Sequence, residues 1–344
     1  MAKTLMAVDA GTGSVRAVLF SLEGEQLGCV QQEWTHKEDP RYPGSMDFDW
    51  VHNWDLARGC IRGVIEQTGV DPHDIAAVST TCMREGIVLY DKDGQEIWAC
   101  ANVDARSDDE VAQLVHMNPE LEKQIYRESG QTYALGALPR LFWVKNKMPE
   151  VYEKTAVCTM FNDWLIYKMT GVFSSEPSNA CTTGIFDLKA RDWDDKIAAS
   201  IGLKTGIFPK ISECGTVVAK VGAKGAAETG LAEGTPVVAG GGDAQAVCHA
   251  AAIAIKSMLG LVCDPIAGLV EVPCVKRNAA GAMIAMSSAD MALAGIRSAV
   301  PPDEVILAMR EVGDKMDVSL KETGIGGVAG TPFGQKIAEK MEMG

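Results

Sequence analysis

The sequence predicts an α/β domain with a mixed sheet, followed by a mostly α-helical C-terminal segment. Three observations carry that expectation. Short apolar runs separated by tight turns cluster at the start, as antiparallel strands do. From residue 53 onward, strand-like runs alternate with stretches of helical spacing, the pattern of an α/β arrangement. After Ala246 the texture shifts to small residues and helix formers without strand alternation, which sets a boundary near 245–250. At 344 residues the chain has room for two domains, or one large one, and for a core that needs no disulfide staples.

Leu5–Asp9 is a short apolar run ending in an acid, and Val15–Phe20 follows a glycine-rich turn. Two strands are expected there, with Gly11 and Gly13 giving the turn backbone angles closed to other residues. Leu22–Gly28 continues as a turn and a third strand. Apolar residues at Leu56, Cys60, Ile61, Val64 and Ile65 have helical spacing, so a helix is expected over 53–68, stopped by Gly69. Ile75–Thr80 and Gly86–Tyr90 read as strands, and Asp93-Gly94 as a hairpin turn before Glu96–Cys100. Leu138–Asn146, Trp164–Thr170 and Lys196–Gly202 read as helices. Pro236–Ala239 reads as a buried strand running into three glycines. Beyond it, Ala250–Leu259, Ala279–Ala294 and Pro302–Val312 are expected to be helical.

Composition narrows the function classes. Apolar content of 47% and charged content of 23% are those of a soluble globular protein. A net charge of −14 argues against a nucleic-acid partner, whose phosphates demand a basic footprint. The opening Met-Ala-Lys-Thr-Leu-Met-Ala-Val-Asp meets an acid too early for a secretory signal. The Ala-rich run at 247–255 is too short to span a membrane. A cytoplasmic location is the default expectation. The ten cysteines are scattered with no CxxC pair, so reduced core thiols are expected for most of them.

Two groups of residues suggest chemistry. Asp9-Ala-Gly-Thr-Gly-Ser14 places an acid at a strand end, before a turn whose amides can cradle phosphate oxygens and whose acid can hold Mg²⁺. A plain β-hairpin turn would look similar. Further along, Cys82–Gly86 and Ala101–Arg106 are polar clusters at strand ends, where α/β folds place ligands. A surface ion pair between Arg84 and Asp104 is the simpler alternative for that cluster.

Taken with Ser79–Arg106, Pro177–Trp193 and Gly240-Gly-Gly-Asp243, the order of motifs resembles the FGGY carbohydrate kinases over residues 1–246. The resemblance implies an RNase-H-like domain of the actin and hexokinase type. It implies ATP and Mg²⁺ as cofactors and a small polyol or sugar-like substrate. Asp9 with Gly11, Thr12, Gly13 and Ser14 corresponds to the first phosphate motif, and Asp243 to the catalytic base. Arg84, Glu85, Asn102 and Asp104 correspond to the polyol contacts. In that family a second domain carrying the adenosine site begins just after Asp243. Residues 247–344 lack its strand–Gly-Gly–helix texture, so weak phosphoryl transfer is expected from this chain alone. Self-association through an uncovered cleft face is a further expectation.

The second group is Cys263 and Cys274, which flank a loop containing Pro265, Gly268 and Pro273. Their spacing is too wide for a compact zinc knuckle, whereas an iron–sulfur cluster accepts widely spaced ligands. Two core cysteines would read the same way. The strings Ala251–Asn278, Ala289–Gly295 and Glu322–Gly327 resemble the α region of iron–sulfur L-serine dehydratases, over about residues 247–344. That resemblance implies a [4Fe–4S] cluster in which Cys263 and Cys274 supply two of three cysteine ligands. Three functional readings follow: a kinase-derived enzyme with a foreign helical module, a lyase subunit whose partner chain supplies the missing cysteine, and a non-catalytic fusion.

Overall fold

A computed structural model describes residues 3–133 and 136–243. The helices expected over 250–259, 279–294 and 302–312, and both Cys263 and Cys274, lie outside the described residues. The chain opens with β1 (Thr4–Ala10), β2 (Ser14–Ser21) and β3 (Gln26–Glu33), then α1 (Trp50–Thr68), β4 (Ile75–Cys82), β5 (Ile87–Tyr90) and β6 (Glu96–Cys100). Helices α2 (Asp108–Met117), α3 (Leu121–Ser129), α4 (Ala137–Lys147) and α5 (Pro149–Lys154) precede β7 (Val157–Thr159) and α6 (Phe161–Thr170). A short α7 (Pro177–Ala180) leads to the hairpin of β8 (Phe186–Asp187) and β9 (Asp192–Trp193), then α8 (Asp195–Ser200). Last come β10 (Val217–Lys220), α9 (Ala223–Thr229) and β11 (Pro236–Val238).

The principal sheet of the described residues has the order β10-β11-β4-β1-β2-β3. Strands β1, β2 and β3 form an antiparallel meander, whereas β4 lies parallel to β1 and β11 parallel to β4. This is the expected mixed sheet. Its consequence for function is geometric: the chain leaves β1, β4 and β11 on the same side, so three connections emerge beside one another. A second sheet, β6-β5-β7, is antiparallel.

Local sequence explains the elements that border the principal sheet. Helix α1 buries Asn53, Trp54, Ala57, Cys60, Ile61 and Val64, one stripe at helical spacing, against β2 and β3. Asp49 caps its start by accepting the His52 amide at 3.0 Å, and Gly69 ends it in the left-handed region at φ 66°. Helix α6 is buried nearly all round, with Phe161, Trp164, Leu165, Ile166 and Met169 in the same core as the inner face of the sheet. Above it an aromatic cluster joins Trp34, Phe48, Phe161 and Trp164, with the Phe48 and Phe161 centroids 4.2 Å apart. A second core forms around the small sheet and α4, from Leu89, Trp98, Leu138, Leu141, Trp143 and Cys158.

Elements α2, α3, β10 and α9 go beyond the sequence expectation. Helix α3 buries little more than Leu121, Ile125 and Ser129, too few apolar positions to show a stripe. Strand β10 is an edge strand with Val217 largely exposed, so alternation is absent. The seven cysteines within the described residues are all free thiols, five of them buried, as expected. No helix of the described residues is long and apolar enough to cross a membrane.

Gly240 is where β11 hands over to the site. A Cβ there would stand 1.6 Å from the Thr80 carbonyl oxygen, whereas one on Gly13 would meet nothing within 4 Å. Gly240→Ala is therefore expected to cost about 3 kcal/mol or more, and Gly13→Ala to stay within about 0.5 kcal/mol, in urea unfolding. Equal midpoints for the two variants would contradict this placement of the loop.

Candidate active site

Three connections meet at the ends of β1, β4 and β11. The register pairs Asp9 with Thr81 and Ala10 with Cys82, and a further bridge joins Cys82 to Gly242. Asp9, Thr81 and the Gly240–Asp243 loop thus share one level of the sheet. Burial holds the Cys82 thiol well above its ordinary range, and the charges of Asp163, Asp243 and Asp9 add to the effect. Asp243 also bears electrostatically on Glu85. The residues expected at the phosphate, base and substrate positions therefore converge, although 234 positions separate Asp9 from Asp243.

The first turn differs in one respect from expectation. Gly11 and Gly13 are absent from the positive-φ glycines, so the turn does not need them for left-handed backbone. It is closed by the Gly11 amide donating to the Ser14 carbonyl at 2.9 Å. Trp34 Nε1 donates to the Gly11 carbonyl at 3.0 Å and lies 3.1 Å from that of Thr12, which also meets His36 Nε2 at 2.8 Å. The carbonyl edge of the turn is thus tied to the segment after β3. Open space next to Gly13 is what the missing side chain provides, and it is room for a ligand to approach the backbone. Asp9 is held by Arg16, whose Nε and terminal nitrogen reach the same carboxylate oxygen at 2.8 and 2.7 Å.

The connection after β4 carries Arg84 and Glu85. Their ion pair is loose at 3.5 Å, and Glu85 adopts φ 73°, a left-handed backbone that a glutamate enters at a cost of about 1–3 kcal/mol. Burial raises the Glu85 carboxyl above its usual range, with Arg84 and Arg140 opposing that shift. Gly86 permits the conformation, because a Cβ there would lie 2.1 Å from the Phe161 ring. Asn102 Nδ2 donates to Thr12 Oγ1 at 3.0 Å, joining the polyol cluster to the phosphate turn.

Asp104 is placed apart from the other three. Its side chain is wholly buried and accepts the Met46 amide at 2.6 Å and Arg106 Nε at 2.7 Å. Arg106 in turn lies against the rings of both Trp98 and Trp143 and also reaches Asp47. The ion pairs are thus Arg84 with Glu85 and Asp104 with Arg106, in place of an Arg84–Asp104 pair.

The residue that organises this region was not among those singled out. Arg140, only 1% exposed on α4, donates to the backbone carbonyls of Glu85, Asn102 and Asp104, the last two at 2.7 and 2.9 Å. One guanidinium thus fixes the backbone of three expected substrate residues. A charged residue inside the apolar string Ala-Leu-Pro-Arg-Leu-Phe-Trp-Val was the available signal. The glycine loop is likewise braced by residues with no assigned role. Asn162 Nδ2 donates to the Gly240 carbonyl at 2.7 Å, Thr81 Oγ1 to that of Gly241 at 2.9 Å, and the Gly242 amide to Ser178 Oγ at 3.0 Å. Among the described residues, no group of three or more His, Cys, Asp or Glu side chains is gathered as a metal cage.

The mixed sheet, the turn after β1 and the glycine loop ending in an acid are the parts that the family resemblance implied. Comparison with known proteins agrees. Residues 4–249 match the profile of the FGGY family of carbohydrate kinases, N-terminal domain, and the chain belongs to that family. Residues 200–329 match the profile of the serine dehydratase alpha chain. The shared stretch up to 243 contributes β10, α9 and β11 to the kinase-like domain. An autoinducer-2 kinase of Escherichia coli (strain SMS-3-5 / SECEC) is 49% identical over 245 residues, 71% of this chain and 46% of that protein. One from Salmonella paratyphi B (strain ATCC BAA-1250 / SPB7) is 46% identical over the same length and shares. The chain thus spans just under half the length of these relatives. Among solved structures, xylulose kinase from Rhodospirillum rubrum superposes with a TM-score of 0.66 at 24% identity, covering 72% of this chain and 51% of that one. Plasmodium falciparum glycerol kinase with ADP gives 0.65 at 19%, covering 73% and 51%. These likenesses establish the actin/hexokinase-type fold.

Two predictions follow from the buried charges. Arg140→Met leaves three carbonyls without their donor and is expected to lower stability by about 3 kcal/mol in chemical denaturation. A loss below about 1 kcal/mol would remove Arg140 from its bracing role. Burial lifts the Glu176 carboxyl from 4.5 to about 7. The folded state therefore holds a proton that the unfolded chain releases, so this contribution to stability is full below about pH 4.5 and lost as pH rises through 7. Asp163, buried and also raised, acts in the same direction. Glu176→Gln should flatten the fall in stability between pH 5 and 8 by up to about 3 kcal/mol. An unchanged slope would count against the burial of Glu176.

Proposed function

We propose that residues 1–246 form the substrate-binding half of an ATP-dependent carbohydrate kinase, acting on a small polyol of the autoinducer-2 kind. The observation that carries this is the meeting of Asp9, Arg84–Glu85 and Gly240–Asp243 at the ends of three parallel strands. Arg84, Glu85 and Asn102 bind the polyol hydroxyls. Asp104 is a positioning residue, since its carboxylate is committed to Arg106 and the Met46 amide. Residues left unpaired by a wrong substrate penalise it, which suits a hydroxyl-rich ligand. Asp243 takes the proton of the attacking hydroxyl as that oxygen bonds to the γ-phosphorus of ATP and the bond to the β-phosphate oxygen breaks, releasing ADP.

The donor set fits a hard cation. Asp9 offers a carboxylate at a strand end, one oxygen of which Arg16 already holds, and the turn that follows has open space at Gly13. Asp9 would hold Mg²⁺ directly or through water, and Mg²⁺ when bound neutralises phosphate charge. Residues 11–14 would meet the phosphate oxygens through the backbone.

Transfer by this chain is proposed to be weak, because the stretch after Asp243 matches a serine dehydratase alpha chain through residue 329. That match supports a second reading of residues 247–344 as a lyase-derived module, in which Cys263 and Cys274 supply two ligands of an iron–sulfur cluster. A partner chain would supply the third.

The test uses the full chain. Calorimetry should show binding of D-xylulose or 4,5-dihydroxypentane-2,3-dione, and phosphorus NMR should show slow Mg·ATP-dependent phosphorylation that falls about 10²–10⁴-fold in Asp243→Asn. Tight Mg²⁺-dependent ATP binding with rapid turnover would contradict the expected impairment, and transfer unaffected by Asp243→Asn would sink the assignment of the base. Pyruvate from L-serine after anaerobic cluster reconstitution would favour the lyase reading.

A further inference from the structure

The glycine loop that carries Asp243 presents a physical difficulty. Three consecutive glycines have more backbone freedom to lose than any other tripeptide, so a base mounted on them needs external restraint. Asn162 and Thr81 restrain the carbonyls of Gly240 and Gly241. The amide side is held from a different element. Glu176, 5% exposed, caps α7 by accepting the Ser178 and Asn179 amides at 2.9 and 3.3 Å, and the same oxygen accepts the Ser178 hydroxyl. Because that hydroxyl spends its proton on the carboxylate, only lone pairs remain for other partners. One of them takes the Gly242 amide at 3.0 Å. The packing agrees, since a Cβ on Gly241 would stand 2.8 Å from Ser178 Oγ and 3.4 Å from Glu176 Oε2.

We propose that Glu176 and Ser178 form a carboxyl–hydroxyl clamp that fixes the Gly242 amide and thereby orients Asp243. Glu176 sets the polarity of the Ser178 hydroxyl, and Ser178 transmits it to the loop. Both are positioning residues. The role of Asp243 as base rests on the phosphotransfer reading, whereas the clamp itself does not.

Hydrogen exchange of the Gly242 amide in the full chain, followed by mass spectrometry with residue-level fragmentation, tests the clamp directly. Ser178→Ala should speed that exchange about ten-fold, the equivalent of one lost hydrogen bond, while Val237 in the sheet stays protected. Ser178→Thr, which keeps the hydroxyl, should restore slow exchange. At pH 8, above the Glu176 range near 7, Glu176→Gln keeps an acceptor but not the charge and should fall between. Exchange in Ser178→Ala within about two-fold of wild type, or Ser178→Thr as fast as Ser178→Ala, would overturn the proposal. In the phosphorylation assay, Ser178→Ala should lower kcat with the polyol KM unchanged, and a raised KM at unchanged kcat would refute the orienting role. If the wild-type chain transfers no phosphate, the phosphotransfer reading fails, and the exchange data alone decide the clamp.

Discussion

A buried guanidinium has no water to complete its hydrogen bonding, so it must find acceptors in the protein or destabilise it. Arg140 finds them in three backbone carbonyls that belong to two separate connections, one after β4 and one after β6. Satisfying this charge is therefore the same event as assembling the substrate side of the site. The strained backbone of Glu85 persists because its carbonyl is held this way and because Gly86 leaves room for Phe161 beneath it. Asn102 then passes the constraint to the phosphate turn through Thr12. Side chains that look like independent ligand contacts along the chain are, in the folded domain, a single braced assembly.

Much of this was legible in the sequence, and the exceptions have physical causes. Strands β1, β2, β4, β5 and β6 and helices α1, α4 and α6 have strong apolar patterns, so periodicity placed them within a few residues. The acid at the end of β1 and the acid after three glycines were both recognisable from their settings. What the sequence could not display was direction. Asp104 has the same chemistry whether it points at a ligand or at Arg106, and only the fold distinguishes the two. Gly11 and Gly13 suggested unusual backbone angles, yet neither has a positive φ in the turn. Arg140 acts across 36 to 55 positions of sequence and Ser178 across 64, and no local pattern announces such a reach.

The chain belongs to the FGGY family, and residues 200–329 also match the serine dehydratase alpha chain profile. The serine dehydratase match begins at residue 200, yet β10, α9 and β11 after that point complete a sheet of kinase type. The acidic composition, with a net charge of −14, suits small-molecule chemistry. Two glycine-borne features, the first turn and the Gly240–Asp243 loop, lie at the same end of the sheet, and both are steadied by side chains outside the motifs that identify them.

Strand order has a consequence for how the domain comes into being. β11 lies inside the principal sheet, between β4 and β10, yet among the described residues it is the last strand to be synthesised. Its register partners in β4, Val78 and Ser79, leave the ribosome about 160 residues earlier. Until Val238 emerges, β4 keeps an open edge that can pair with another nascent chain. The strand that closes that edge is also the one that leads to Asp243. A chain broken off shortly before this point would be left both sticky and without the acid proposed as its base.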